Sequence, residues 1–169
     1  MPGERAASGL VIGRFCPPHL GHSYLIVTAA DQVERLVVFV VTRDGEPIPG
    51  ARRAEWLAEL HPDVTVVEVS HELPTDFDDA ELWERWMALF RQRWPLDGDG
   101  PEVVFSSEGY GDELARRFGA LPIAVDPART AVPVSATMIR ERPLDNLHML
   151  APPVAEWIEA WARQRPAPS

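Results

Sequence analysis

Residues 10–22 read Leu-Val-Ile-Gly-Arg-Phe-Cys-Pro-Pro-His-Leu-Gly-His, and this stretch decides the fold. Its first part, residues 10–13, is a short apolar run that predicts a buried strand, and helical spacing of apolar residues then extends over 19–33. Between them, a glycine allows close backbone approach and two prolines stiffen the entry to the helix. A strand that passes directly into a helix is the first half of a parallel βαβ unit.

The remaining chain continues this alternation of strand and helix. Further apolar runs without strict in-out alternation predict strands that are covered on both faces, at 36–42, 64–69, 103–107 and 122–126. Helical spacing recurs between and after them, at 52–60, 79–93, 111–118 and 152–162. We therefore expect the α/β class, as a Rossmann-like α/β/α sandwich with a five-stranded parallel sheet, whose ligands bind beyond the carboxyl ends of the strands.

Length and composition restrict the class of protein. The 169 residues fit a single domain spanning 1–169, in which 165–169 is expected to be a frayed tail. There is one cysteine, Cys16, which excludes an internal disulfide and fits a reducing compartment. No apolar run reaches membrane-spanning length and no secretory signal is found, so a cytoplasmic location is expected.

The charged residues exclude further classes. A net charge of −10 argues against nucleic-acid partners and against binding to anionic membranes. All 16 basic residues are arginine, so mechanisms that need an amine, such as a Schiff base or a P-loop lysine, are excluded.

The first group of polar residues lies where the first strand meets its helix. His19 and His22 are three residues apart and share one helical face, and Gly21 between them leaves room above that turn. Gly13 permits close approach of a ligand, and Arg14 offers a cation suited to phosphate oxygens. A helix N-terminus adds free N–H groups, which favours phosphate chemistry. The alternatives are incidental surface histidines, or two ligands of a metal site that lacks a third.

A second group follows the fifth predicted strand. Ser135 is a suitable N-cap, and Thr137 and Arg140 lie on one face of the helix that it would start. Because this segment also follows the carboxyl end of a strand, it predicts a second site for a polyanion beside the first. The alternative is an ordinary capped helix with surface arginines.

Together these motifs resemble the two signatures of the nucleotidylyltransferase superfamily. Gly-Arg-Phe-x-Pro-x-His-x-Gly-His at 13–22 is most similar to nicotinamide-nucleotide (NMN) adenylyltransferases of the NadR and NadM type. Ser-x-Thr-x-x-Arg at 135–140 resembles the signature that holds the ATP phosphates, and 125–130 and 104–108 resemble the NadR-type domain. The resemblance covers residues 10–153. The kinase and DNA-binding domains of some relatives have no counterpart in these 169 residues, so their activities are not expected here. The 43–51 loop also looks shorter than in much of the family.

The resemblance implies a nucleotidylyltransferase-type fold and transfer of the adenylyl group from ATP to NMN, giving NAD and pyrophosphate. Mg²⁺ would accompany ATP without a dedicated protein site, no tightly bound organic cofactor is expected, and homo-oligomerisation stays open. The catalytic residues would be His19, His22, Arg14 and Arg140. ATP would be bound by Gly13, Phe15, His19, Gly21, His22, Ser135, Thr137 and Arg140. NMN would be bound by Arg14, Phe15, Trp83 and Arg129.

Two tryptophans in the third predicted helix are candidates for stacking on the nicotinamide. Trp83 and Trp86 share a helical face, and an aromatic face suits a cationic pyridinium. The alternative for both tryptophans is a position in the hydrophobic core, and it is favoured more strongly for Trp86. Trp83 is therefore the predicted contact to the nicotinamide.

Other polar residues receive no catalytic role. The resemblance includes an Arg-x-x-Trp segment at 53–56, for which surface arginines are an equal alternative. Cys16 occupies a variable position of the signature, and Asp126 and Glu108 are interpreted as structural caps. The remaining histidines are interpreted as surface residues: His61, His71 and His148.

Two other functions remain open. The same chemistry can serve another acceptor: nicotinate mononucleotide, phosphopantetheine, or a polyol phosphate in a cytidylyl transfer. A non-catalytic module that senses nucleotide or NAD is the alternative from a different class, and release of pyrophosphate distinguishes it from an enzyme.

Overall fold

A five-stranded parallel sheet forms the centre of the computed structural model, which describes residues 5–165. Its strand order is β3-β2-β1-β4-β5. The strands are β1 (Ala6–Gly13), β2 (Val33–Thr42), β3 (Thr65–Ser70), β4 (Val103–Ser106) and β5 (Leu121–Ala124). All four neighbouring pairs are parallel, so the predicted Rossmann-like α/β fold is confirmed.

Helices cover both faces of this sheet. The helices are α1 (Leu20–Ala30), α2 (Gly50–Leu60), α3 (Ala80–Arg93), α4 (Gly111–Phe118), α5 (Ala136–Glu141) and α6 (Pro152–Gln164), with two single-turn 3₁₀ helices at Pro143–Asp145 and Leu147–Met149. Apolar residues of α1 and α2 pack on one face of the sheet, whereas α3 and α4 pack on the other. Among residues 5–165, no helix is long and apolar enough to cross a membrane.

A third apolar cluster lies outside the two layers and joins distant parts of the chain. Cys16 follows β1, Ile48 follows β2, and Val134 and Ile139 flank the start of α5; all are buried in this cluster. Helix α6 completes the cluster, where Trp157 packs edge-to-face on Trp56 of α2 at 5.7 Å between ring centroids. The cluster therefore fixes the first polar segment of the sequence against the second.

The structure corrects several sequence-based expectations. The helix predicted over 19–33 ends at Ala30, because a two-residue turn follows and β2 already begins at Val33. Strand β5 is not covered on both faces as predicted: it lies at one of the two edges of the sheet, and Leu121 at its start is 60% exposed. The predicted tail at 165–169 lies outside the described residues, apart from its first position.

Candidate functional site

The candidate site lies at the point where the strand order reverses, between β1 and β4. The loops after these two strands diverge at the carboxyl edge of the sheet, which is where ligands bind in open parallel sheets. A cavity of about 580 Å³ occupies this crevice. It is lined both by the segment after β1 and by the start of α5, and its volume is typical of small-molecule sites.

The two histidines of the first segment form a reciprocal cap on α1. The Nδ1 atom of His19 accepts from the backbone N–H of His22 at 3.3 Å, and Nδ1 of His22 accepts from the backbone N–H of His19 at 3.1 Å. The two rings are stacked, with centroids 3.6 Å apart. Because each Nδ1 is an acceptor, a neutral imidazole carries its proton on Nε2. We therefore assign both side chains as neutral Nε2–H donors at the cavity.

Both histidines are held neutral at pH 7. Burial lowers the pKa of His19 to about 4, with a further contribution from the positive charge of Arg129. Burial, the neighbouring His19 and Arg129 lower the pKa of His22 well below its ordinary value. The pair can therefore donate hydrogen bonds to an anion, but near neutrality it is not a source of positive charge.

We expect His19 to make stability depend on acid pH. Its pKa is lower in the folded chain, so the unfolded chain binds more protons between its ordinary value of 6.5 and about 4. The contribution of His19 to the free energy of unfolding is constant above this range, and it falls by about 3 kcal/mol as the pH drops through the range. Urea unfolding of wild type and His19→Gln between about pH 7.5 and 4 measures this contribution as the difference between the curves. Parallel curves would contradict it.

The second polar segment meets the first at the cavity. The Oγ atom of Ser135 accepts from the backbone N–H of Met138 at 3.1 Å, so Ser135 is the N-cap of α5, as predicted. One turn later, Arg140 donates through Nη1 to the carbonyl of Cys16 at 2.6 Å, and Nη2 lies 3.4 Å from Oγ1 of Thr137. The structure thus brings together all the predicted residues of both segments at one cavity.

Arg129 faces the cavity from the loop between β5 and α5. Its Nη1 donates to the carbonyl of Val134 at 3.0 Å, and its Nη2 lies 3.4 Å from Oε1 of Glu108. Asp126 organises this loop, because its carboxylate accepts from Thr130 and from the backbone N–H of Ala131. Asp126 is therefore a structural cap, whereas Glu108 lines the cavity.

The two signature glycines are required for packing within the protein, and both also line the cavity. A Cβ atom at Gly13 would lie 3.0 Å from the ring of Phe15, and one at Gly21 would lie 2.9 Å from the ring of His19. The ring of His19 therefore occupies the space that a side chain at position 21 would need. Phe15 is itself 2% exposed and contacts His22 edge-to-face at 4.7 Å, so its ring supports the histidine pair.

Arg14 has a partner that the sequence did not suggest. Its Nε and Nη2 atoms lie 2.9 and 2.6 Å from Oε2 of Glu46, in the loop after β2. The other carboxylate oxygen of Glu46 accepts from Nη2 of Arg53 at 2.6 Å. Arg53 is 0% exposed, so the surface alternative is wrong for it, whereas Arg52 beside it is exposed. Arg14 is thus bound to a carboxylate at the cavity mouth.

Aromatic side chains from α3 and from the loop before it line part of the cavity, which we call its aromatic end. Trp83 is 7% exposed, donates its indole N–H to the carbonyl of Phe77 at 2.9 Å, and is covered by the guanidinium of Arg117 at 5.1 Å. Trp86 is only half-buried, which reverses the order of burial expected for the two tryptophans. His71 packs on Trp86 with ring centroids 4.4 Å apart and lines the cavity, so it is not a plain surface residue.

Outside the cavity, the remaining histidines differ from each other. His61 is half-buried and its Nε2 lies 3.4 Å from Oγ of Ser23, whereas His148 is exposed as expected. In the part of the chain that the structure describes, no cluster of three or more His, Cys, Asp or Glu side chains is arranged to hold a metal ion.

Comparison with known proteins supports the resemblance to nucleotidylyltransferases that the sequence motifs indicated. The profile of the citrate lyase ligase C-terminal domain matches residues 8–73. In an alignment 158 positions long, which covers 84% of this chain and 38% of the relative, the sequence is 26% identical to the trifunctional NAD biosynthesis/regulator protein NadR of Escherichia coli K12. The trifunctional NAD biosynthesis/regulator protein NadR of Salmonella typhimurium LT2 is 25% identical in an alignment of the same length, which again covers 84% of this chain and 38% of the relative. The resemblance to nucleotidylyltransferases of the NadR type is confirmed.

Solved structures show the same fold. A NadR protein in complex with NAD and AMP-PNP superposes with a TM-score of 0.58 at 24% identity, over 83% of this chain and 43% of that one. A bifunctional NMN adenylyltransferase/ADP ribose pyrophosphatase from Francisella tularensis, complexed with AMP and Mn ion, gives 0.60 at 17% identity, over 81% and 41%. The chain therefore spans about two fifths of the length of these relatives.

Proposed function

We propose that this protein transfers the adenylyl group of ATP to NMN, giving NAD and pyrophosphate. The observation that carries the proposal is the contact between Arg140 of the second signature and the carbonyl of Cys16 in the first. This contact brings the hydrogen-bond donors of both signatures to one cavity. An enzyme that joins two phosphorylated substrates needs such an arrangement, because both must be aligned at one site.

The chemistry proposed for this site is direct in-line attack of the NMN phosphate on the α-phosphate of ATP. The second pKa of a phosphate monoester is about 6, so the attacking group is largely ionised at pH 7 and needs no general base. The P–O bond to NMN forms as the bond to pyrophosphate breaks, and the site must neutralise negative charge on both groups. The positive charge would come from arginines at the cavity, Arg14, Arg129 and Arg140. His19 and His22 would add hydrogen bonds only, because their lowered pKa values keep both imidazoles neutral at pH 7.

The proposed roles follow the places of the side chains. His22 and His19 would contact the α-phosphate and its neighbours, while Ser135, Thr137 and Arg140 would hold the outer phosphates. Mg²⁺ would arrive with ATP, coordinated mainly by phosphate oxygens and water. The cationic donor set around these residues fits an anionic metal–nucleotide complex and not a bare cation.

NMN would lie across the other end of the cavity. Its phosphate would approach Arg14 and Arg129, and its nicotinamide ring would approach the aromatic end. Trp83 remains the proposed contact to the ring, because it lines the cavity. Arg117 covers its indole at 5.1 Å and is not among the residues that line the cavity, so it leaves part of the indole for stacking. Trp86 and Phe77 also line this end.

A pyrophosphate-release assay tests the proposed function. Purified protein is incubated with ATP and Mg²⁺ and either NMN, nicotinate mononucleotide or phosphopantetheine, and NAD formation is measured in parallel. We expect release with NMN, together with an equal amount of NAD. Release with another acceptor alone would reassign the substrate, and ATP binding without release would identify a sensing module. The cytoplasmic location expected from the sequence remains part of this proposal.

Arg140→Lys is expected to lower kcat/KM for ATP by about tenfold, because lysine keeps the charge but loses the planar fork of donors. The guanidinium reaches the carbonyl of Cys16 through Nη1 and lies near Oγ1 of Thr137 through Nη2, whereas lysine carries all its donors on one nitrogen. Steady-state kinetics with ATP varied measures the change. An unchanged kcat/KM would remove Arg140 from the phosphate site.

A further inference from the structure

An acidic residue is bound directly to a proposed phosphate-binding cation. Glu46 lies in the short loop between β2 and α2, and its side chain is 10% exposed, whereas the Arg14 side chain is 58% exposed and lines the cavity. A carboxylate at a polyanion site is unfavourable for binding unless it serves another purpose. Its contacts indicate that purpose.

One oxygen of the Glu46 carboxylate, Oε1, is held by groups other than Arg14. Oε1 accepts from Nη2 of Arg53 at 2.6 Å and from the backbone N–H of Arg43 at 2.8 Å. The fully buried Arg53 is held in turn by its own bonds to the carbonyls of Ile48 and Arg14, at 3.1 and 2.7 Å. Partial burial opposes ionisation of Glu46, but the hydrogen bonds from Arg53, Arg14 and the backbone N–H of Arg43 together outweigh it and lower the pKa of Glu46, so the carboxylate is charged at pH 7.

The other carboxylate oxygen, Oε2, sets the orientation of the Arg14 guanidinium. Oε2 receives both Nε–H and Nη2–H of Arg14. Among residues 5–165, the remaining N–H donors of Arg14 have no hydrogen-bond partner, although the residue lines the cavity. An exposed arginine otherwise samples many rotamers, and fixing it in advance removes that entropic cost from substrate binding.

We propose that Glu46 is a positioning residue, which holds the Arg14 guanidinium ready for a substrate phosphate while the buried Arg53 anchors Glu46. This inference rests on the proposed function and deepens it, since it assigns a supporting residue to the phosphate site. The loop between β2 and α2 thereby takes part in the site through Glu46, although Glu46 need not touch substrate.

A double-mutant cycle tests the proposal with Glu46→Gln, Arg14→Ala and the two combined. If Glu46 acts through Arg14, Glu46→Gln lowers kcat/KM by about tenfold or more in the wild-type background and has no further effect in the Arg14→Ala background. A structural effect behaves differently: loss of the ion pair to Arg53 lowers the melting temperature in both backgrounds. Kinetic effects that multiply in the double variant would overturn the proposal.

Glu68→Gln is the matched control, because it makes the same charge change beside the same loop. Glu68 accepts from Oγ1 of Thr42 at 2.9 Å, and its carboxylate contacts no arginine in the described part of the chain. We expect kcat/KM of this variant to stay within about twofold of wild type. A loss equal to that of Glu46→Gln would show a general charge effect and overturn the positioning role.

Binding measurements separate this inference from the proposed function. If the wild type releases no pyrophosphate with any acceptor, the proposed function fails, and the same cycle is then run on the calorimetric affinities for Mg·ATP and NMN. Non-additive losses of affinity would still support the positioning role. Equal affinities for wild type and Arg14→Ala would overturn it, because Arg14 would then bind neither phosphate.

Discussion

Replacing His22 by alanine is expected to lower kcat for NAD formation by ~10²–10³. His22 is assigned as a neutral Nε2–H donor, and its neutral state is fixed by burial, by His19 and by Arg129. A donor aimed at charge that develops in the transition state contributes mainly to turnover, so kcat falls more than KM changes. Steady-state kinetics with ATP and NMN measures both quantities.

His148→Ala is the control for this variant, since His148 is exposed and lies outside the cavity. Its kinetics should match wild type. The alanine at position 22 also removes the acceptor for the backbone N–H of His19, which costs about 1 kcal/mol as the loss of a cap. Thermal unfolding separates this small loss from the kinetic one. A His22→Ala variant with near wild-type turnover would remove His22 from the reaction.

Arg53→Met is expected to lower the free energy of unfolding by about 3–5 kcal/mol. The substitution keeps a long apolar side chain in the buried space but leaves Glu46 without its main partner. It also leaves the carbonyls of Ile48 and Arg14 without the donors that they now have. Buried polar groups that lose their partners carry the full cost of desolvation. Equilibrium urea unfolding at pH 7 measures the loss.

The neighbouring residue supplies a matched control. Arg52→Met makes the same chemical change one position earlier, where the side chain is exposed, and should alter stability by no more than about 0.5 kcal/mol. Both variants remove one positive charge, so the difference between their free energies of unfolding measures the effect of removing an arginine that is buried. Similar values for both would contradict the importance assigned to the buried arginine.

The features that could be predicted from sequence are those with local causes. The apolar run at 10–13 followed by Gly13 and the proline pair predicts a strand entering a helix, and repetition of this alternation predicts a parallel sheet. Ser135 has the side chain and the following helix that an N-cap requires, and it is the N-cap. These patterns depend on neighbours within a few residues, so the chain displays them directly.

The features that could not be predicted depend on residues distant in the chain. Nothing near Glu46 in sequence shows that Arg14 and Arg53 share its carboxylate, because Arg14 is 32 positions away. The burial of Trp83 exceeds that of Trp86 for a similar reason, since Arg117 and Phe77 cover the first from other elements. Helical spacing showed that both tryptophans share a face but not which neighbours that face would meet.

The sequence by itself determined the fold class, the two polar segments and the chemistry that their residue types favour, because each follows from local propensity and spacing. Only the tertiary structure decided the electrostatic state of the site. Burial and the approach of Arg129 make both histidines neutral, and Arg14 is bound to Glu46 before any substrate arrives. Charge and protonation depend on all groups within a few ångströms, and only the folded chain brings those groups together.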